Sequence, residues 1–154
     1  MKKKKIWDKK ISRQISVHKG KGSLLELNNC MKPASPWFPW HMHAEGMEDE
    51  EGTSLIRFVM VDYSKKKENV SVYANVAPEH VKYFFIQMVR GVEEFSFSQQ
   101  KIFRESPDSQ KGTVTYFSIS RHEYNSNGEK RNYPWYVEIQ NGTGIVEKTR
   151  NGGQ

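Results

Sequence analysis

Only one stretch of this 154-residue chain carries a helical repeat, and it divides the sequence in two. In APEHVKYFFIQMVRG (77–91), Val81, Phe84, Phe85, Met88 and Val89 recur at i, i+3, i+4, i+7 and i+8, the apolar stripe of an amphipathic helix. Pro78 suits the first helical position and Gly91 suits a left-handed cap at the end. The stripe is expected to pack wholly against a sheet. On both sides of it the apolar residues fall in short runs with period two or rich in β-branched and aromatic residues.

Before the helix the runs are ISRQISV (11–17), SLLEL (23–27), TSLIRFVMVDY (53–63) and VSVYANV (70–76). After it come EFSFSQQKIFR (94–104), TVTYFSISRHEY (113–124), NYPWYVEIQ (132–140) and IVEKT (145–149). Turn-forming segments separate them: HKGKG, SKKKEN, ESPDSQKG, NSNGEK with its Asn-Gly pair, and NGTG. Short turns between strands give antiparallel neighbours. The chain therefore reads as α+β, mostly antiparallel sheet, in the order ββββ-α-ββββ, with room for two four-stranded units. The domain is expected over 11–149, between a disordered basic tail (1–10) and a disordered tail (150–154).

Residues 29–52 interrupt this pattern. Prolines 33, 36 and 39 oppose both helix and central strand, and the segment ends in the acidic run EGMEDEEG. It reads as a long loop, uncommon in a compact domain unless it is functional or disordered. Trp37, Phe38 and Trp40 lie in it as candidates for docking a protein partner or stacking a base. The acidic run reads as a solvated loop, as a competitor for the basic surface, or as a site for a basic partner.

The formal net charge is +6, unevenly spread. Residues 1–22 hold nine Lys and Arg against Asp8 alone, and outside residues 29–52 the chain has 23 bases against 13 acids. That balance favours a polyanionic partner, because neutralising phosphates releases counterions. MKKKKIWDKK lacks the apolar core of a signal peptide, and no run approaches the roughly 18 apolar residues of a membrane span, so no membrane association is expected. A lone Cys30 excludes an internal disulfide framework and fits a reducing compartment, with cytoplasm the expected location.

HKGKGS admits three readings: a plain hairpin turn, a phosphate cradle, or part of a nucleic-acid surface. It fails as a P-loop, since Ile15 stands where that motif needs its first glycine and no helix follows. A second basic group, Lys65, Lys66, Lys67, Lys130 and Arg131, falls at turns, the last two near Trp135 and Tyr136. Strand alternation puts Tyr133, Trp135 and Val137 on one face and Pro134, Tyr136 and Glu138 on the other, so one face is core and the other displays an aromatic beside cations. The candidate nucleic-acid contacts are thus Lys19, Lys21, Lys65, Lys66, Lys130, Arg131, Trp135 and Tyr136. No nucleophile motif, HExxH or CxxC is present, so neither an enzyme nor a cofactor is expected. His41 and His43 with Glu45, Glu48 or Cys30 form too sparse a set to imply a metal.

The segment SVHKGKGSLLEL resembles the lysine-glycine-lysine stretch at the first hairpin of Whirly-type single-stranded-DNA-binding proteins. The resemblance implies two four-stranded sheets, each followed by a helix, and a sheet surface and loops that bind single-stranded DNA with little sequence preference. It further implies a homo-oligomer, with Lys19 and Lys21 as nucleic-acid contacts. No helix is legible after IVEKT, and the Pro/Trp loop has no place in that pattern. The function expected is non-sequence-specific nucleic-acid binding, with single-stranded DNA preferred and RNA admitted. The alternative is a protein-interaction or inhibitor module docking through residues 29–52.

Overall fold

A computed structural model describes residues 13–32, 36–37, 39–44, 53–65 and 68–145. The two expected tails, the acidic run and most of IVEKT lie outside the described residues. Seven strands and one α-helix are described: β1 (Gln14–Lys19), β2 (Ser23–Cys30), β3 (Leu55–Asp62), β4 (Val70–Val76), α1 (Pro78–Arg90), β5 (Glu94–Arg104), β6 (Lys111–His122) and β7 (Trp135–Ile145). All neighbouring strands are antiparallel. They form a four-stranded sheet ordered β1-β2-β3-β4 and a three-stranded sheet ordered β5-β6-β7.

The expected 4+4 arrangement is thereby corrected to 4+3 among the described residues. NGTG does not turn the chain. It continues β7, with Gly142 opposite Val114 and Gly144 opposite Gly112. Space rather than turning explains the second glycine, because a Cβ at Gly144 would sit 2.8 Å from Val114 Cγ2. The expected strands at 132–140 and 145–149 therefore belong, as far as Ile145, to one strand.

The two sheets bury one shared core. On β3 the alternation sends Ile56 and Phe58 inward and Leu55, Arg57 and Val59 outward. Ala74 and Val76 of β4 and Phe117, Ile119 and Ile139 of the second sheet complete the buried set with Val81 and Phe84 of α1. Phe84 is the hub, its ring centre 4.8 Å from that of Phe97, 6.0 Å from Phe95 and 6.2 Å from Phe117. The Phe97 contact is tilted, the Phe95 contact edge-on and the Phe117 contact stacked, and such contacts add to the area that the rings remove from water.

Only part of the helix stripe enters this core. Val81, Phe84 and Gln87 are buried, whereas Phe85, Ile86 and Val89 are exposed. At about 100° per residue, burying positions three apart turns Phe85 about 100° and Val89 about 140° away from Phe84. The expectation that the whole stripe meets a sheet is thus corrected. Gly91 closes the helix as expected, with φ 64° and its N–H donating to Met88 O.

The first strand is displaced as well. A bulge at Ile15 shifts the register between Gln14 and Ser16. Beyond it Ser16 and His18 face the core side, opposite Leu27 and Leu25, and Val17 faces outward opposite Glu26. The apolar alternation of ISRQISV therefore does not mark the buried face, since a bulge exchanges the two faces. In the long segment 29–52, β2 runs on to Cys30 and Trp40–His43 form one turn of 3-10 helix.

The exposed edge of β4 meets the second sheet through side chains. Asn141 of β7 accepts from the Tyr73 N–H and donates to the Tyr73 carbonyl, both at 2.9 Å, and Gln99 Nε2 donates to Asn75 O at 2.9 Å. These amides satisfy backbone groups that an open edge leaves unpaired.

Candidate nucleic-acid interface

The basic turns of the four-stranded sheet meet at one end of it. Gly20 N–H donates to Ser23 O at 2.8 Å and closes the β1–β2 turn. Tyr63, just after β3, then ties that turn to the β3–β4 turn. Its N–H donates to Gly22 O at 2.8 Å, and its hydroxyl reaches Gly20 O at 2.7 Å and Ser23 O at 3.2 Å. Gly22 packs so closely on Ser64 that a Cβ there would sit 2.9 Å from Ser64 Cβ. Lys19, Lys21 and Lys65 are therefore carried on two turns held against each other. Lys66 lies outside the described residues.

Two acids sit at this end among the described residues, Asp62 and Glu68, and the Glu68 N–H donates to Lys65 O at 3.2 Å. Asp62 accepts from Ser64 Oγ at 2.6 Å and from Ser64 N–H at 2.9 Å, and these bonds hold its carboxyl below the usual carboxylate range. The charged carboxylate is thus engaged locally, and its role is to shape the turn. Beside the turns, on the core side of the sheet, opens a recess of about 360 Å³ whose floor includes His18, Leu25, Met60 and Val72. Lys19 itself faces the other side of the sheet, so the recess lies next to the lysine turns and not beneath Lys19.

Lys130 and Arg131 are placed differently. They lie in the β6–β7 connection, which Asn125 organises by accepting from the Asn127 and Glu129 N–H groups, with Gly128 at φ 78°. Lys130 Nζ stands 3.0 Å from Glu123, whose other oxygen accepts from Arg121 at 3.0 Å. This pair of cations, Lys130 first, holds the Glu123 carboxyl below its ordinary range. Arg131 Nε donates to Tyr124 O. Lys130 and Arg131 are thus engaged within their own loop, and no contact joins them to the lysine turns among the described residues.

Of the neighbouring aromatics, Trp135 faces the core, with Phe95 6.0 Å away centre to centre and the Arg121 guanidinium 5.9 Å over its ring. Tyr136 faces out and is exposed. Trp37 is 84% exposed, while Phe38 and the side chain of Trp40 lie outside the described residues. His43 is buried and His41 exposed, so the two histidines do not share a surface as they would in an extended chain. No group of three His, Cys, Asp or Glu is placed to hold a metal among the described residues. No described helix is long and apolar enough to cross a membrane.

The sequence reading overlooked Tyr63 and the Arg57–Tyr73 pair. Arg57 lies over the Tyr73 ring on the outer face of the four-stranded sheet, 4.7 Å from its centre. The signal was present in strand parity, which puts Arg57 and Tyr73 on the face opposite Phe58 and Ala74. Comparison with protein-family models, curated proteins and solved structures finds no match to this chain.

Proposed function

We propose that this chain binds single-stranded nucleic acid without sequence preference, capturing phosphates with the lysines at the hairpin end of the four-stranded sheet. The observation that carries the reading is the tie through Tyr63, which brings Lys19, Lys21 and Lys65 to one place from two separate turns. Clustered lysines release condensed counterions when they meet phosphates, and apolar or aromatic surface beside them favours unpaired bases over a duplex. The net charge of +6 and the resemblance of SVHKGKGSLLEL to the first Whirly hairpin support the same reading. Duplex readout by α1 is disfavoured, because Lys82 and Arg90 are its only Lys or Arg and Phe85, Ile86 and Val89 make its exposed face apolar.

The test is fluorescence anisotropy with labelled single-stranded DNA, duplex DNA and RNA across a salt series. Binding should be tightest to a single strand and should weaken with salt. Replacing Lys19, Lys21 and Lys65 by Gln should lower the slope of log K against log salt by about 2, at roughly 0.7 per lost phosphate contact. Absence of binding at low salt overturns the reading.

A further inference from the structure

We propose that the outer face of the four-stranded sheet carries a phosphate site at Arg57, shaped for a phosphate attached to a flat base that stacks on Tyr73. This deepens the nucleic-acid reading and rests on it for the strand as occupant.

Arg57 is held from two sides. Its guanidinium lies over the Tyr73 ring, and its Nε donates to Asn75 Oδ1 at 2.9 Å. Together these contacts fix the guanidinium plane. Its two Nη nitrogens meet no acid among the described residues. A guanidinium fork with spare donors matches two oxygens of one phosphate, and holding it in place beforehand lowers the entropy lost on binding.

The surroundings suit an anion. Strand pairing sets Gln14, Asn28, Arg57 and Asn75 in one row across the sheet, with no carboxylate in it. Glu26 is the acid in the next row, opposite Val59, and makes no ion pair with Arg57. Tyr73 is 48% exposed although the guanidinium covers part of it, and Asn141 clamps its backbone from both sides. A ring so anchored offers a stacking surface to any base. Lys19 is on this same face, four residues along the strands from the Arg57 row, or about 13 Å. A strand crossing the face would meet the lysine turn and then Arg57.

The shared chemistry is a base-bearing phosphate, supplied by a nucleic-acid strand or by a free nucleotide. The experiment follows the Arg57 Nε–Hε resonance of the full chain by NMR while inorganic phosphate, thymidine monophosphate or oligothymidylate is added. Arg57→Gln, Arg57→Lys and Tyr73→Leu are compared by anisotropy, with the amide spectrum of each variant confirming its fold. We expect the resonance to move with both base-bearing ligands more than with phosphate. Arg57→Gln should weaken oligonucleotide binding roughly ten- to a hundredfold, Arg57→Lys should restore part of the loss, and Glu26→Gln should tighten binding. A response to the mononucleotide alone supports the site with a free nucleotide as its occupant and removes the strand reading. Oligonucleotide binding that depends on the lysines while the Arg57 resonance stays still overturns the site and leaves the strand reading standing. No response to any ligand, with no oligonucleotide binding, overturns both.

Discussion

Gly20 and Gly22 stand two residues apart in the same turn, yet the same substitution should have opposite effects on them. Neither has positive φ, so alanine meets no backbone barrier at either position. At Gly20 the new Cβ would be 3.4 Å from Ser23 O and 3.8 Å from its Oγ, close to ordinary contact. Gly20→Ala should be neutral or slightly stabilising, because alanine narrows the unfolded ensemble by up to about 1 kcal/mol. At Gly22 the new Cβ would be 2.9 Å from Ser64 Cβ and 3.4 Å from Ser64 Cα. Relief to the normal 3.5–4.0 Å between carbons requires the two turns to part by roughly 0.6–1 Å.

Parting the turns would stretch the bonds from Tyr63 to Gly22 O and Gly20 O, now 2.8 and 2.7 Å. Overpacking costs about 1–3 kcal/mol, and the unfolded-state gain offsets part of it, leaving Gly22→Ala destabilised by about 1–2 kcal/mol. For a chain of this length that is roughly 2–8 °C in melting temperature. Urea unfolding of both variants measures the difference, and the anisotropy assay should show weaker strand binding for Gly22→Ala alone, since only there are the lysine turns driven apart. Equal stability and equal binding for the two variants would refute the close approach of the turns and the coupling drawn from it.

Three further outcomes follow from the fold. Phe84→Ala, at the meeting point of Phe95, Phe97 and Phe117, should cost about 3–5 kcal/mol in denaturant unfolding. Asn141→Ala strips the cover from the Tyr73 backbone, and should cost roughly 1–3 kcal/mol and speed hydrogen exchange of the Tyr73 amide. Glu123 and Asp62 both have folded-state pKa values below their ordinary ones, so their stabilisation is present above the unfolded value and is lost as pH falls through the folded value. Melting temperature should therefore decline below about pH 4, and the decline should be shallower in Glu123→Gln/Asp62→Asn.

The sequence by itself determined what depends on near neighbours. The Gly91 cap, the Asn-Gly connection and the alternation of β3 were legible because backbone preference and side-chain parity act over a few residues. The order of elements up to β6 follows from the same rules, which also put Trp135 and Tyr136 on opposite faces, while only the packed core made Trp135 the inward one. What those rules could not place depends on who the neighbour is. NGTG has the composition of a turn, but Gly144 leaves room for Val114 on the next strand. The helix stripe has five apolar positions, but two packed sheets reach only the arc around Phe84. Lys19, Lys21 and Lys65 were each legible as turn cations, and so was Lys130. Only the fold joined the first three through the Tyr63 hydroxyl and engaged Lys130 with Glu123. A charge is written in the sequence, but its availability depends on which counter-charge the chain folds beside it.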